Sequence, residues 1–309
     1  MSSRLRRLFD QFKKGSLSKV SYIRKMHGIH RILWEYSDFI HDKNISSIKI
    51  SGDNVSFTTQ AGIEMTCDSF DERATPIEIL NFYDYESAQL QMMRKFLNPR
   101  SIVLDIGANI GWYSLNLSKY VPAGQIIAFE PIANTFGLLK KNIQLNGIKN
   151  VELRNIGLSD KKGILEFYYN PRLTGATSLR DLGIGAGKKK VRCKVKRLDD
   201  LADTLPSRID FIKCDVEGAE LFVIKGALNI LKRAKPVLFL EMLRKWSAKF
   251  GYHPNDIIKL LKSIGYDCYS VKADRLSRIN KVTDKTKETN FYFLNNKKHA
   301  RFIKHAHII

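Results

Sequence analysis

Apolar residues follow three different rhythms along this chain, and each predicts a different kind of element. Between Arg4 and Lys14, Leu5, Leu8, Phe9 and Phe12 recur at i, i+3, i+4 and i+7, while Arg4, Arg6, Arg7, Lys13 and Lys14 fill most of the remaining face. That spacing predicts a short basic amphipathic helix. A second basic stretch, Lys19 to Lys43, follows. From Ile45 the rhythm changes to alternation: Ile48 and Ile50, then Val55 and Phe57, flank Gly52-Asp53-Asn54, which is a hairpin signal, and Ile63 and Met65 suggest a third strand. This reads as a small antiparallel appendage placed to close over one end of the main site. Pro76 opens a helical passage to Leu97, with Leu90, Met93 and Leu97 on its buried side and Asn98-Pro99 as its stop.

From Ile102 onward the strands stop alternating. Ile102, Val103, Leu104 and Ile106 form an apolar run broken only by Asp105, the pattern of a parallel strand covered on both faces. A helix from Trp112 to Tyr120, a strand from Gln125 to Phe129, a helix from Ala133 to Leu145 and a strand from Val151 to Ile156 continue a βαβ series. Later strands are expected at Leu165 to Tyr169, Val191 to Val195, Ile209 onward, Pro236 to Leu240, Tyr266 to Val271 and Asn290 to Leu294, with Lys272 to Glu288 as a charged connection. The fold class is therefore α/β and Rossmann-like, with a basic helical and β-hairpin extension over residues 1–79 and the main domain over 80–309. Asn170 to Lys190 is a polar loop of about 20 residues; such loops in compact domains are usually functional, and it is the candidate substrate lid.

Composition adds two constraints. At 309 residues and 44% hydrophobic the chain can bury a large core, which excludes a disordered protein. The formal net charge of +21 favours acidic partners, although lysine and arginine are spread over the whole chain. Cys67, Cys193, Cys214 and Cys268 show no metal-ligand spacing, and no segment approaches the ~18 apolar residues of a membrane span, so the expectation is a cytoplasmic protein. Its N-terminal helix has two readings: docking on the anionic inner face of a membrane through residues 4–14, or docking on its own domain or a second subunit. His27 and His30 lack further ligands nearby in sequence and read as surface or packing residues.

Chemistry concentrates at strand tips. The turn after the first parallel strand is Asp105-x-Gly107-x-x-x-Gly111, with Asn109 where a dinucleotide fingerprint would place its second glycine, so a pyrophosphate is poorly served. Glu130 ends the next strand and suits the two hydroxyls of a ribose. Asp105 beneath the loop suits a ligand amino group. A ribose joined to an aminoacyl head is S-adenosylmethionine (SAM). Ser159 and Asp160, in the Gly157-Leu158-Ser159-Asp160 turn after the third strand, lie where an adenine edge would fall. Further along, Ile209 to Glu220 carries Lys213, Asp215 and Glu217 at its end, where alternation would put all three on one face, and Glu241 ends the next strand. Ionisable groups clustered at one sheet edge are expensive unless paired or used. Tyr83, Tyr85 and Glu86 fall near the start of the helical passage and read as packing residues.

D-I-G-A-N-I-G-W-Y-S, F-E-P, the G-L-S-D turn, R-L-D-D-L, I-K-C-D-V-E-G-A-E and the F-L-E strand occur in the order and spacing of the FkbM-type methyltransferases, which this chain resembles over about residues 80–275. The resemblance implies a seven-stranded class I fold with its last strand antiparallel, and SAM-dependent O-methylation of a hydroxyl on a sugar, polysaccharide or related natural product; if the basic N-terminal helix meets a membrane, a lipid-linked glycan is the expected acceptor. Carried over by position, Asp105, Gly107, Asn109 and Gly111 become the SAM loop, Glu130 the ribose acceptor, Ser159 and Asp160 the adenine end, and Asp215 and Glu217 the reaction edge. In catalysis Asp215 is the first candidate base and Glu217 or Glu241 the second. The same carboxylates could instead hold a divalent ion, but no metal-ligand pattern in the sequence indicates one. An RNA methyltransferase is disfavoured because no N-P-P-Y-type tetrad is present; a non-catalytic SAM-binding module is the remaining alternative.

Overall fold

A computed structural model describes residues 3–52, 54–272 and 275–304. The chain begins with three helices, α1 (Arg4–Lys13), α2 (Lys19–His30) and α3 (Ile32–Phe39), none of which buries a residue. Ser3 and Ser18 cap α1 and α2 by accepting the Arg6 and Ser21 N–H groups, and the Phe12 ring stacks on Tyr22 at 4.7 Å, folding α1 back on α2. The expected hairpin follows as β1 (Ile45–Ser51) and β2 (Asn54–Thr59), with β3 (Glu64–Thr66) beside it in the order β1-β2-β3; Asp53 at its turn lies outside the described residues.

The passage expected from Pro76 to Leu97 is two helices, α4 (Thr75–Phe82) and α5 (Ser87–Phe96). Tyr83 (φ 72°) and Glu86 (φ 51°) adopt left-handed conformations between them, a geometry no helix can run through. This break turns Tyr85 and Glu86 toward the central cavity. Leu90 and Met93 are buried as expected and Leu97 is half-buried.

The main sheet is built from β4 (Ile102–Ile106), α6 (Trp112–Ser118), β5 (Gln125–Phe129), α7 (Ala133–Leu145) and β6 (Val151–Arg154). A small side sheet, β7 (Gly157–Leu158), β8 (Gly163–Tyr169) and β9 (Lys189–Lys196), comes next. Then follow β10 (Phe211–Cys214), α8 (Glu220–Lys225), α9 (Leu228–Ala234), β11 (Val237–Glu241), α10 (Arg244–Lys249), α11 (Pro254–Ser263), β12 (Tyr266–Lys272), β13 (Arg275–Ile279), β14 (Asn290–Asn295) and α12 (Ala300–Ile303). Strand order is β13-β12-β14-β11-β10-β4-β5-β6, with β14 running antiparallel between β11 and β12. This is the Rossmann-like class I methyltransferase sheet with eight strands rather than seven. The extra edge strand, β13, comes from the stretch read as a charged connection: it pairs antiparallel with β12, setting Leu276 against Val271.

Alternation along the central strands divides the core into two layers. Val103, Phe211, Val237 and Phe239 face α5, α6 and the β1–β3 sheet, while Leu104, Ile106, Ile212, Leu238 and Leu240 face α8, α9 and α11. Residues 45–79 share the first layer through Ile45, Phe57, Ile63, Met65 and Ile79. The three-stranded sheet docks on α7, where the buried Asn142 side chain accepts from the Thr66 N–H and donates to the Thr66 and Ile110 carbonyls. It therefore braces the back of the glycine turn; none of its residues lines the central cavity. Among the described residues no helix is long and apolar enough to cross a membrane.

Candidate active site

Strand order reverses between β4 and β10, and the carboxyl ends of the strands there open into a cavity of about 400 Å³. Its floor is the turn after β4. Gly107 sits at φ 75°, and a Cβ there would lie 1.9 Å from the Asp215 carbonyl oxygen, so only glycine lets the turn pass beneath the tip of β10. Gly111, at φ 104°, faces Leu139 rather than the cavity and sets the turn into α6. Asn109 lines the cavity, but its side-chain oxygen accepts from Thr174 of the expected lid at 3.3 Å. Leu173 to Thr177 and Ile184 of that loop do form part of the cavity wall, held there by a Thr174 hydroxyl bond to Asp71 and a Ser178 hydroxyl bond to the Glu217 carbonyl.

Glu130 is buried on the opposite wall. One carboxylate oxygen accepts the Asn109 N–H at 3.1 Å and the other the Ile132 N–H at 2.9 Å, which fixes its plane. Burial still dominates and lifts its pKa to about 7. Glu86 lines the cavity beside the Tyr113 hydroxyl and is likewise raised to about 7, by burial first and the charge of Asp215 second. Trp112 also lines the cavity, its indole N–H buried without an acceptor.

The second cluster assembles as expected, though not by strand alternation. β10 ends at Cys214; Asp215 and Val216 continue irregularly, and Glu217 turns back at φ 51° before Gly218 at φ 98°. Glu220 holds this turn, one oxygen accepting from both the Val216 and Gly218 N–H groups. Ligand oxygens of Asp215, Glu217 and Glu241 thereby come within 4.8 Å of one another on the cavity wall. Burial, and then the charge of Asp215, pushes Glu217 and Glu241 well above the carboxylate range, so both favour their protonated forms. Beneath them Lys213 is buried, donating to the Gly107 carbonyl at 2.7 Å and lying 3.6 Å from Asp215 and 3.5 Å from Asp105. Burial alone would lower Lys213, but Asp215, Asp105 and Glu86 outweigh it and hold it above the usual lysine range.

Three sequence expectations are redirected. Asp105 is fully buried and does not reach the cavity; it accepts from the Ser114 hydroxyl at 2.6 Å and faces Lys213, so it supports the turn from below. Ser159 and Asp160 line no described cavity: Ser159 is buried with its N–H bonded to the Lys196 carbonyl, which turns this segment into the side sheet. The slot at that end is formed instead by Phe129, Pro131, Ile156, Gly157, Leu158 and Phe167. Conversely, Glu86 is on the cavity wall rather than in packing, and Tyr85 does both, packing edge-on against Trp112 at 5.8 Å while lining the cavity; their sequence signal was proximity to the first parallel strand. Trp246 with Lys245 Nζ 4.2 Å from its ring, and Arg73 bonded to Glu78, complete the wall beyond the carboxylates.

The methyltransferase FkbM domain family matches residues 105–268, more than half the chain. Methyltransferase sdnD of Sordaria araneosa is 34% identical over 179 residues, covering 48% of this chain and 66% of that protein. Hexuronic acid methyltransferase AglP of Haloferax volcanii is 27% identical over 202 residues, covering 64% and 77%. The solved FkbM methyltransferase of Methylobacillus flagellatus aligns at 16% identity and a TM-score of 0.44 over 74% of this chain and 55% of that one. Apart from AglP, the curated relatives are spanned by this chain over less than two thirds of their length. From the end of β4 into the strand β12, this chain belongs to the methyltransferase FkbM domain family.

Proposed function

We propose that this chain transfers a methyl group from SAM to a hydroxyl oxygen of a sugar or sugar-bearing acceptor. The carrying observation is that the glycine turn with Glu130 and the carboxylates Asp215, Glu217 and Glu241 open into one cavity. Its volume falls within the range of small-molecule sites. The residues fit the cofactor: Glu130 faces a position for ribose hydroxyls, the orphaned Trp112 indole N–H would meet a carboxylate, and Glu86 replaces Asp105 as the partner for an amino group. The apolar slot at Phe167 has room for about one water molecule, so a purine would enter only after Phe167 or Leu179 shifts.

When bound, SAM supplies an electrophilic methyl carbon on a sulfonium. Asp215, oriented by Lys213, takes the acceptor O–H proton as the oxygen attacks, while Glu217 and Glu241 donate hydrogen bonds to the acceptor. Lys245, its ammonium lying over the Trp246 ring, and Arg73 give the cavity a positive rim, in keeping with the hexuronic acid in the name of AglP. Calorimetry with SAM followed by a tritiated-methyl screen over glycan fractions tests this reading. Absence of SAM binding would overturn it; SAM binding with no labelled acceptor would leave a binding module.

The pKa of Glu130 gives a pH signature. Ribose hydroxyls donate to the ionised carboxylate, so SAM binding lowers the pKa of Glu130, and a bound ammonium does the same for Glu86; both groups start at about 7. Binding should therefore release protons near neutrality and tighten as pH rises from about 6 to 8. Calorimetry in buffers of different ionisation enthalpy measures the proton count, and uptake of protons would contradict the placement of both carboxylates.

A further inference from the structure

The three N-terminal helices have no role in the cavity, and their surface is unusual in two ways at once. Between Arg4 and Phe39 there are nine lysines and arginines against three acidic residues, Asp10, Glu35 and Asp38. On the same helices Leu5, Phe9, Val20, Ile23, Ile32, Leu33, Trp34, Tyr36 and Phe39 are exposed. Folding α1 on α2 uses up Phe12 and Tyr22 and leaves these others uncovered. Arg31, between α2 and α3, keeps right-handed helical dihedrals (φ −52°, ψ −29°), so the helical phase carries through. At 100° per residue, Val20, Ile23 and Trp34 then fall on one strip with Arg24 and Arg31 along its edge.

We propose that α1–α3 form a docking surface for an anionic lipid membrane, reaching beyond residues 4–14 to a strip centred on Val20, Ile23 and Trp34. Charge complementarity supplies the long-range attraction, and the exposed aliphatic and indole side chains supply the short-range insertion that lipid acyl chains accept. A phosphate backbone would satisfy the cations but offers nothing to Ile23, Ile32 or Leu33, which argues for lipid over RNA. A second copy of the chain would bring nine like charges against nine, which argues against self-association.

Trp34 is a built-in reporter: it is 66% exposed, whereas Trp112 and Trp246 are 5% and 9% exposed. The full chain is mixed with vesicles of phosphatidylcholine alone and of phosphatidylcholine with phosphatidylglycerol, then sedimented. Anionic vesicles should bind at least about tenfold more tightly, with loss of binding in high salt and a blue shift of tryptophan emission. Trp34→Ser should remove the blue shift, and Arg24→Glu with Arg31→Glu should abolish sedimentation while leaving SAM binding unchanged. The proposal is overturned by three results: no binding to anionic vesicles, an emission shift on dilution-reversible dimerisation without lipid, or salt-sensitive RNA binding that anionic vesicles fail to compete. Each of these leaves the methyl-transfer reading standing, because no residue of α1–α3 lines the cavity that SAM calorimetry reads.

Discussion

Asp215→Asn should lower turnover by about 10²–10⁴-fold, the range of a positioned general base, while SAM binding is retained. The substitution keeps the size and the hydrogen-bonding reach of the side chain but removes its capacity to take a proton. Two features make Asp215 the sensitive member of the cluster. It lies 3.6 Å from the buried Lys213 ammonium, and its charge contributes to keeping Glu217 and Glu241 protonated. The measurement is single-turnover transfer to whichever acceptor the labelled-methyl screen returns, beside SAM calorimetry on the same preparation. Retained turnover would reject the base. Loss of wild-type turnover on adding EDTA, restored by magnesium, would reassign the three carboxylates to holding a metal ion.

Lys213→Met should destabilise the fold by about 3–5 kcal/mol, measured by urea denaturation, because it strands a fully buried carboxylate. Asp105 has no exposed surface, its Oδ1 accepts no hydrogen bond, and Lys213 is the cation facing it at 3.5 Å. The lysine also donates to the Gly107 carbonyl, so the variant should lose SAM affinity in step with stability. Asp105→Asn in the Lys213→Met background should recover much of the stability by removing the unpaired charge. If Lys213→Met is as stable as the parent, the buried pair is not what holds the turn under β10.

The sequence made the strands of the main sheet legible because parallel strands buried on both faces leave long apolar runs, and the cluster Asp215, Glu217 and Glu241 was visible as charges at the ends of such runs. What stayed hidden depended on three-dimensional closure. Asp105 looks equally available whether it points up into a cavity or down onto Lys213, and only the β4–β10 register, which sets Lys213 beside Asp105, decides between them. Ser159 and Asp160 missed the cavity because the chain leaves the main sheet for a side sheet two residues before Ser159, at Gly157. Glu86 was passed over because a helical rhythm continues across it, although the backbone breaks there. The strand β13 was obscured by its charged outer residues, Arg275 and Arg278, on the edge of the sheet.

Glu217 stands in a left-handed conformation that glycine adopts freely and glutamate resists, and its neighbour Gly218 is left-handed as well. Glycine at both positions would relieve this backbone, so under the proposed methyl transfer the Glu217 carboxylate is a feature that costs stability and serves the acceptor side of the cavity. Glu217→Gly should accordingly be at least as resistant to thermal unfolding as the parent, since it relieves the strained backbone and removes a buried acid, yet be impaired in methyl transfer. A Glu217→Gly protein that melts much earlier would show that this side chain is a structural strut, and the trade between robustness and reactivity would have to be sought elsewhere on the rim.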